Sequence, residues 1–452
     1  MSEQIRLTKG LDIPISGAAS QTIAKTVLAD VIAIKPTNFR ALVPKLVVKE
    51  GDLVLAGDPL FVDKNHPQVC FCSPCSGSVE AIVRGDKRKL LEVRVKADSE
   101  VKYRKAKPLS LSSASKEQIA SFLMQMGLWP MIMQRPYGII ANAEDAPKSI
   151  FISAMNTAPL AADLDFALKG RFIDVQAGVD TLAKLTEGGV HFSMNYFTSP
   201  SSEFRKLRSV IFHDFEGKHP AGNVGIQINH ISPINKGEVV WTVDLLSVAT
   251  IGKAVREGIY DASRLVAVTG PAAVNPSYVK AYQGSPISAF SDFFTKKENL
   301  RFISGNVLTG EKVGLDGYMD FFDDQISILN EGDYYETFGW CKPFRCKKFS
   351  FSHSYWSWLI GNGKKYKMDT NVNGGARAFV VSDVYSKVLP MDIYPVHLLK
   401  ACIAGDLEKM ENLGIYEVLP EDFALCEFVD PSKNNIQQII SDGIDLMLKE
   451  MA

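Results

Sequence analysis

The chain has 452 residues, of which 46% are hydrophobic and 22% charged, values that are ordinary for globular proteins. At roughly 100–200 residues per domain, this length predicts three or four domains, each long enough to bury its own core. The 50 lysines and arginines nearly balance the 51 aspartates and glutamates, which argues against nucleic acid as a partner because that needs a basic surface.

The first hundred residues carry the signals of β-strands. Short runs rich in Val and Leu are cut by turn sequences at Gly51-Asp52, Gly57–Pro59 and Ser73–Gly77. This pattern resembles the barrel-sandwich of biotinyl and lipoyl domains, in which similar turns recur. We predict such a domain over residues 1–102.

From about residue 115, helix and strand patterns alternate. Ser115 and Gln118 have the spacing of a capping box, which marks the start of a helix. Further helices are predicted at Ala161–Leu168, Val175–Glu187 and Leu245–Glu257, the last closed by Gly258. The predicted strands are Ser149–Ala154, Val190–Met194, Ser209–Phe212, Val239–Val243 and Arg264–Thr269. Such alternation predicts a parallel, doubly wound sheet, and we assign residues 103–258 to this α/β domain.

The rest of the chain divides into a mixed part and a helical part. Leu300–Leu308 and Gln325–Leu329 predict strands of a small α+β domain at residues 259–376. Residues 377–452 are predicted to be helical, and the last helix has a clear apolar face, formed by Ile436, Ile439, Ile440, Ile444, Met447, Leu448 and Met451. The fold class is therefore a multidomain α/β protein.

No stretch reaches the roughly 18 unbroken apolar residues of a transmembrane helix, and the N-terminus lacks the features of a signal peptide. We therefore expect the chain to stay in the cytosol. The sequence also lacks the Gly-rich turn of dinucleotide-binding folds, the Walker A motif, the His-Glu-x-x-His motif and the Gly-x-Ser-x-Gly motif. No catalytic residue is predicted.

Three of the seven cysteines, Cys70, Cys72 and Cys75, lie close together. Thiolates at this spacing could share a metal ion or an iron–sulfur cluster, which usually has four ligands. The fourth ligand would come from Cys341, Cys346, Cys402 or Cys426. Three small residues on a β-hairpin are the favoured alternative, because the spacing matches no ferredoxin motif and Pro74 and Gly77 already explain a turn.

His213, His219 and His230 could cluster around a metal ion, but they match no known ligand spacing, so separate histidines are favoured. Lys64 could be the attachment site of a biotin or lipoyl carrier. It lacks the flanking methionines of biotin carriers, so a plain surface lysine is favoured.

The segment from residue 127 to residue 137 combines Trp129, Met131, Met133 and Arg135 with two prolines. Methionine and tryptophan side chains can line an adaptable apolar pocket, in which an arginine would bind a carbonyl or a phosphate group. The alternative is that these residues form a packed junction between domains. This alternative is favoured because a protein has few ligand pockets.

Several sequence blocks follow one another over nearly the whole chain. They are Ile5–Gly17, Gly127–Trp129, Arg135-Pro136, Ile150–Ala161, His219–Gly225, Asp244–Lys253, Val268–Pro271, Arg301–Leu308, Gly339-Trp340, Pro390–Pro395 and Leu413–Asp422. This series resembles the A-subunit family of the bacterial Na+-translocating NADH:quinone oxidoreductases.

That family is similar in architecture to the flavin subunit of respiratory complex I and to the C subunit of the ferredoxin:NAD complex. Both relatives carry a Gly-rich FMN loop and a four-cysteine cluster motif. Here the bulky Gly127–Met133 occupies the place of the loop, and Cys426 alone remains of the cysteine motif. The resemblance implies a Rossmann-like domain without the FMN loop, an SLBB-like (ubiquitin-like) α+β domain and a degenerate Fe–S domain. It implies no flavin or cluster on this chain.

The resemblance also implies a role. The six-subunit complex passes electrons from NADH to ubiquinone through FAD, FMN, riboflavin and a [2Fe–2S] cluster on other subunits, while sodium crosses the inner membrane. The A subunit would be a peripheral protein on the cytoplasmic side, docked on the membrane-embedded B subunit and without independent catalysis. Trp129, Met131, Met133 and Arg135 are expected at the quinone pocket or at the face toward the B subunit. One alternative is a flavoprotein that binds FMN and NADH itself, and another is a carrier or metal-binding module.

Overall fold

The first two strands of the chain pair with strands formed by much later residues. β1 (Glu3–Arg6) lies parallel to residues 213–216, and β2 (Ser20–Thr26) lies parallel to residues 277–280. The computed structural model describes residues 3–295, 299–336, 338–339, 346, 348–353, 355–360, 363–380 and 383–451. Trp340 of the Gly339-Trp340 block and the candidate ligand Cys341 lie outside these ranges.

Residues 31–97 form two facing sheets, which is the predicted barrel-sandwich. The strands are β3 (Val31–Ile34), β4 (Pro44–Leu46), β5 (Leu53–Val54), β6 (Pro59–Asp63), β7 (Cys70–Cys72), β8 (Gly77–Arg84) and β9 (Leu90–Ala97). One sheet has the order β3-β9-β8-β5, and the other has the order β4-β6-β7. Buried side chains such as Ile32, Phe61, Phe71 and Val93 fill the space between them.

The next part of the chain builds a seven-stranded sheet with helices. Its elements are α1 (Lys116–Gln125), β10 (Met133–Arg135), β11 (Ile139–Ile140), β12 (Ile150–Ser153), α2 (Leu164–Ala167), α3 (Phe172–Ala183), β13 (Val190–Asn195), β14 (Ile211–Glu216), α4 (Val224–Ile231), β15 (Val240–Thr242) and α5 (Leu245–Glu257). The strand order is β1-β14-β13-β12-β15-β10-β11. Strands β1 and β12–β15 run parallel, whereas β10 is antiparallel to both of its neighbours, β15 and β11. The predicted all-parallel sheet is therefore wrong at this edge.

Helices cover both faces of this sheet. Successive side chains of a strand point to opposite sides, so neighbouring residues of β12 contact different helices. Ile150 and Ile152 of β12 share a core with α3 and α5. Phe151 between them packs instead with Ile228 of α4 and with Val240. The sheet is thus doubly wound, and the predicted capping box at Ser115 and the left-handed Gly258 at the end of α5 are both present.

A six-stranded sheet follows. Its strands are β16 (Ser263–Thr269), β17 (Ser277–Tyr282), β18 (Leu300–Ser304), β19 (Glu311–Val313) and β20 (Gln325–Asn330), in the order β19-β18-β20-β16-β17-β2. The sequence pattern placed the strand Arg264–Thr269 at the end of the alternating helices and strands of the preceding domain. This strand is β16, and it pairs with β17 and β20 of the six-stranded sheet. Beyond it lies a single turn of helix, α6 (Ser357–Ile360).

The last part of the described chain is helical. Its helices are α7 (Pro395–Ala404), α8 (Leu407–Asn412), α9 (Ala424–Val429) and α10 (Ile436–Met451). Ile436, Ile440, Ile444 and Met447 are buried, as the apolar pattern of the last helix predicts. The domain boundaries at residues 102, 258 and 376 stay predictions.

A buried arginine joins the helical part to the seven-stranded sheet. Nη1 of Arg135, the last residue of β10, lies 3.0 Å from Oδ2 of Asp422, and its Nη2 lies 2.6 Å from Oε1 of Glu421. Both Arg135 and Asp422 are 1% exposed. Gly225 of α4 makes room for the pair, because a Cβ there would lie 2.3 Å from Nη1 of Arg135. Side chains from two parts of the fold thus meet at one contact, and the backbone of a third part, α4, packs closely against it.

Replacing Asp422 by Ala should lower the free energy of unfolding by about 3–5 kcal/mol, because it leaves the Arg135 guanidinium buried without its charge partner. Urea unfolding followed by tryptophan fluorescence measures the change. The matched control is Glu421→Gln, whose side chain is 45% exposed, so its loss should cost about 1 kcal/mol or less. Equal, small effects of both substitutions would contradict the prediction.

Candidate functional site

A cleft opens where the strand order of the seven-stranded sheet reverses. In chain order, β12–β15 occupy the positions 3-2-1-4, so the first strand, β12, lies between the second, β13, and the fourth, β15. Ligands of doubly wound sheets bind at the carboxyl ends of the strands at this switch point. The cleft has a volume of about 470 Å³ and is lined by the last residues of both strands, Ser153 and Thr242.

Several parts of the fold contribute to the walls of this switch-point cleft. The α/β domain supplies the strand ends and the methionines, and the six-stranded sheet supplies a loop that precedes β20. The lining includes Met131, Met133, Arg135, His219, Asp244, Asp323, Asp324 and Glu421. A site built from distant stretches of sequence cannot be recognised as one motif.

Of the four residues predicted for a pocket, three line the cleft and one does not. Met131, Met133 and Arg135 are in its wall. Trp129 is buried behind them, where its Nε1 donates a hydrogen bond of 2.7 Å to the Ala141 carbonyl and its ring meets Trp241 edge-on. Both Nη atoms of Arg135 are engaged in ion pairs, and its Nε has no hydrogen-bond partner in the described part of the chain.

The turn from residue 127 to residue 132 uses its backbone N–H groups internally. The amides of Gly127, Leu128, Met131 and Ile132 donate to carbonyls within residues 123–129. Gly127 itself has φ +71° and packs against Cys72, where a Cβ would lie 2.6 Å from the sulfur. A phosphate group binds to such turns through free backbone N–H groups. These four amides are already engaged, so they cannot bind one.

The charge of the cleft comes mainly from carboxylates. Asp244, Asp323, Asp324 and Glu421 line it. Among the described lining residues, the groups that can carry positive charge are Arg135, which is ion-paired, and His219. Burial lowers the pKa of His219 to about 4, so this ring is neutral near pH 7.

Two of the carboxyl groups titrate close to neutral pH. Burial raises the pKa of Asp323 to about 7, although a hydrogen bond of 2.5 Å from the Ser304 hydroxyl opposes that shift. Burial likewise raises the pKa of Asp324 to about 6, and the nearby Arg264 guanidinium opposes it. The cleft therefore gains negative charge as the pH rises through this range, and a protonated Asp323 can donate a hydrogen bond.

Sequence reasoning missed Asp323, Asp324 and His219 as parts of this site. The available signal was two adjacent aspartates immediately before the apolar strand β20. Nothing in the sequence shows that this loop reaches the switch point of a different sheet.

The three clustered cysteines lie on and next to β7. Burial raises the pKa of Cys72 well above its usual value and raises that of Cys75 to about 12. High thiol pKa values disfavour the thiolate, which is the form that binds metals. Within the described residues, no three or more His, Cys, Asp or Glu side chains are grouped so that they could hold a metal ion.

The three histidines considered together in the sequence have separate partners. His213 lies 2.9 Å from His191 between their ring nitrogens, His219 contacts the Thr157 hydroxyl, and His230 contacts the Ile226 carbonyl. Lys64 is exposed in the turn after β6.

Crossing a bilayer requires a helix that is both long and apolar. None of the helices in the described part of the chain combines the two properties to the degree needed.

Three family models match successive parts of the chain. They describe an NqrA N-terminal barrel-sandwich hybrid domain at residues 5–98, an NqrA second alpha/beta domain at 114–260 and an NQRA C-terminal domain, of the SLBB type, at 265–314. These matches agree with the barrel-sandwich, with the doubly wound sheet and with the start of the six-stranded sheet.

Among solved structures, the NAD+-reducing [NiFe]-hydrogenase in its air-oxidized state matches 51% of the chain and 52% of its own, with 12% identity and a TM-score of 0.34. That similarity is too low to support an argument.

Full-length relatives are more informative. The A subunit of the Na(+)-translocating NADH-quinone reductase of Neisseria meningitidis serogroup B is 34% identical over 449 residues, covering 99% of this chain and all of the relative. The protein of the same name from Yersinia pestis bv. Antiqua is 34% identical over 97% of this chain and 98% of its own. That from Actinobacillus pleuropneumoniae serotype 5b is 35% identical over 99% of this chain and all of its own. The chain therefore belongs to the family of the A subunits of Na(+)-translocating NADH-quinone reductases, which are oxidoreductase complexes.

Proposed function

We propose that this chain is the peripheral A subunit of a Na+-translocating NADH:ubiquinone reductase and that its switch-point cleft holds the ubiquinone head group. The main support for this ligand is the lining of the cleft, which combines two methionines with carboxyl groups. Among its described residues it has no unpaired cation. Sodium transport and NADH oxidation are then activities of the assembled complex, with FAD, FMN, riboflavin and the [2Fe–2S] cluster on other subunits. The chain would dock on the membrane-embedded B subunit at the cytoplasmic side of the bacterial inner membrane.

A neutral ligand suits this lining better than a phosphorylated one. A phosphate group would meet Asp244, Asp324 and Glu421 without a free positive charge to offset the repulsion. A quinone head group is uncharged and has two carbonyl oxygens that accept hydrogen bonds. The polarizable side chains of Met131 and Met133 can pack on its ring, and protonated Asp323 can donate to a carbonyl.

The four residues predicted from the sequence divide into two roles in this proposal. Met131 and Met133 contact the ligand directly. Trp129 supports the turn that presents them, through its hydrogen bond to Ala141 and its contact with Trp241. Arg135 holds Glu421 and Asp422 in place, so that Glu421 forms part of the opposite wall.

A flavoprotein that binds FMN and NADH is the second candidate. The 3-2-1-4 strand order favours it, because dinucleotide-binding sheets use the same order. The engaged amides of residues 127–132 and the acidic lining speak against it. We propose that the α/β domain is a degenerate Rossmann-like fold and the C-terminal helices a degenerate Fe–S domain. Its Cys426 is fully buried in an apolar core.

The two candidates predict different absorption spectra. The purified chain should show no band between about 300 and 600 nm, where flavins and Fe–S clusters absorb, and should contain no stoichiometric iron or zinc. A flavin band would overturn the cofactor-free interpretation and favour the second candidate. Iron or zinc would instead direct attention to Cys70, Cys72 and Cys75.

Replacing Met133 by Ala should raise the ubiquinone Michaelis constant of the assembled complex by roughly 5–30-fold, which corresponds to about 1–2 kcal/mol of lost contact. NADH:ubiquinone activity of purified complex, measured over a range of short-chain quinone concentrations, gives the constant. The control is Met124→Ala, because Met124 of α1 is also partly buried but lies outside the cleft. An unchanged constant in a fully assembled Met133→Ala complex would refute the placement of the quinone.

The raised pKa of Asp323 predicts a pH dependence of stability. Folding favours the protonated carboxyl, so its stabilising contribution is full below about pH 4, the ordinary pKa of an aspartate, and is lost progressively as the pH rises from there to about 7. Asp323→Asn should reduce the fall in unfolding free energy between pH 5 and pH 8 by on the order of 1–2 kcal/mol. Urea unfolding at each pH measures it, with the exposed Asp316→Asn as control. Identical pH profiles for wild type and Asp323→Asn would show that this carboxyl does not titrate as described.

A further inference from the structure

A second, larger groove lies on the surface, away from the switch-point cleft. It has a volume of about 950 Å³ and contains four lysines, Lys218, Lys364, Lys365 and Lys387. They come from three separate stretches of the chain: the turn after β14, the loop after α6 and the segment before α7. We call this feature the lysine groove.

Its described lining residues include no aspartate or glutamate. This is notable because the whole chain has nearly equal numbers of acidic and basic residues. Lys218, Lys365 and Lys387 are exposed, and within the described ranges no ion pair involves them. The groove is therefore a local concentration of positive charge whose counter-ions must come from outside the described chain.

The Nζ of Lys364 is held differently from the other three amines. It donates a hydrogen bond of 3.0 Å to the Cys346 carbonyl and lies 5.6 Å from the centre of the Tyr366 ring. These two contacts hold the amine of Lys364 in place, while the amines of the other three lysines can move toward a ligand.

Aromatic and apolar side chains lie beside the lysines. Phe349, Phe351 and Tyr366 form part of the groove wall. Trp358 is 52% exposed, with the His353 ring 5.1 Å away, and the next residue, Leu359, is 66% exposed. Water solvates exposed lysines well, but the exposure of Trp and Leu side chains to water is unfavourable. A soluble anion such as phosphate would account for the charge and leave the apolar side chains unexplained.

A bilayer surface that contains anionic lipids accounts for both kinds of side chain. Lipid phosphates bind lysines, while tryptophan and leucine enter the boundary between head groups and acyl chains. We propose that the lysine groove binds the head groups of anionic phospholipids and turns this side of the chain toward the membrane. This inference deepens the peripheral location given under the proposed function, and it does not depend on where the quinone binds.

Co-sedimentation of the full chain with vesicles tests the proposal. Vesicles of phosphatidylcholine with added phosphatidylglycerol should bind the chain, and vesicles of phosphatidylcholine alone should bind it much less. Each lysine near an anionic surface contributes about a fivefold factor to the partition coefficient, so Lys365→Gln combined with Lys387→Gln should lower it roughly 25-fold. Trp358→Ser should lower it as well, and that loss should persist at high salt, because it removes apolar rather than ionic contact.

The matched control is Lys87→Gln combined with Lys89→Gln, which removes two exposed lysines from the turn between β8 and β9. It should leave binding within about twofold of wild type. Equal loss in both double variants would show that net charge alone drives binding, and would overturn the proposal.

Three further outcomes would also overturn it. They are equal binding of wild type to neutral and anionic vesicles, no binding to either, and release by inorganic phosphate but not by chloride at the same ionic strength. The last would identify a site for soluble phosphate. If the lysine variants bound vesicles normally but failed to assemble with the other subunits, the groove would face an acidic protein instead. None of these outcomes bears on the cofactor spectrum or on the quinone Michaelis constant, so the two proposals fail separately.

Discussion

The ion pairs of Arg135 with Asp422 and Glu421 fix how the sheet, the C-terminal helices and the cleft stand relative to one another. Removing a guanidinium from water costs several kcal/mol unless a carboxylate compensates it, so neither Arg135 nor Asp422 is stable at this position alone. Because Arg135 ends β10, which lies next to the edge strand β11, the pair ties this side of the sheet to the segment just before α9. Leu419 and Glu421 therefore line the same cleft as Met131 and Met133, so the segment before α9 forms part of its wall.

The fold determines where the cleft lies, and the side chains determine what fits in it. A strand order of 3-2-1-4 creates a crevice at the switch point whatever the sequence of the loops. Phosphate binding there needs free backbone N–H groups and positive charge, and this chain has engaged amides and carboxyl groups instead. The architecture is thus compatible with more than one chemistry, and the residues at the site determine which ligand binds there.

Local signals in the sequence predicted local structure well. The capping box at Ser115, the helix from Leu245 to Glu257 with its terminal Gly258 and the buried face of α10 all depend on residues within a few positions of each other. Composition alone predicted Met131, Met133 and Trp129 together at a pocket, and it could not show that only the two methionines line the cleft while Trp129 is buried behind them. Asp323 and Asp324 were missed because their role depends on how one domain packs on another. The two-residue strand β11 was missed because it is too short to show an alternating pattern.

The pairing of β1 and β2 has a consequence for synthesis of the chain. β1 covers the outer edge of β14, and β2 covers the outer edge of β17, yet the partner strands are made roughly 200 residues or more after them. During translation the two N-terminal segments must stay unpaired, while the barrel-sandwich that follows them can already fold. After β14 and β17 have been synthesised, their outer edges stay uncovered until β1 and β2 pair with them. Uncovered strand edges promote aggregation. Folding of a nascent chain of this protein therefore depends on prompt pairing of residues 3–26 with these two late strands.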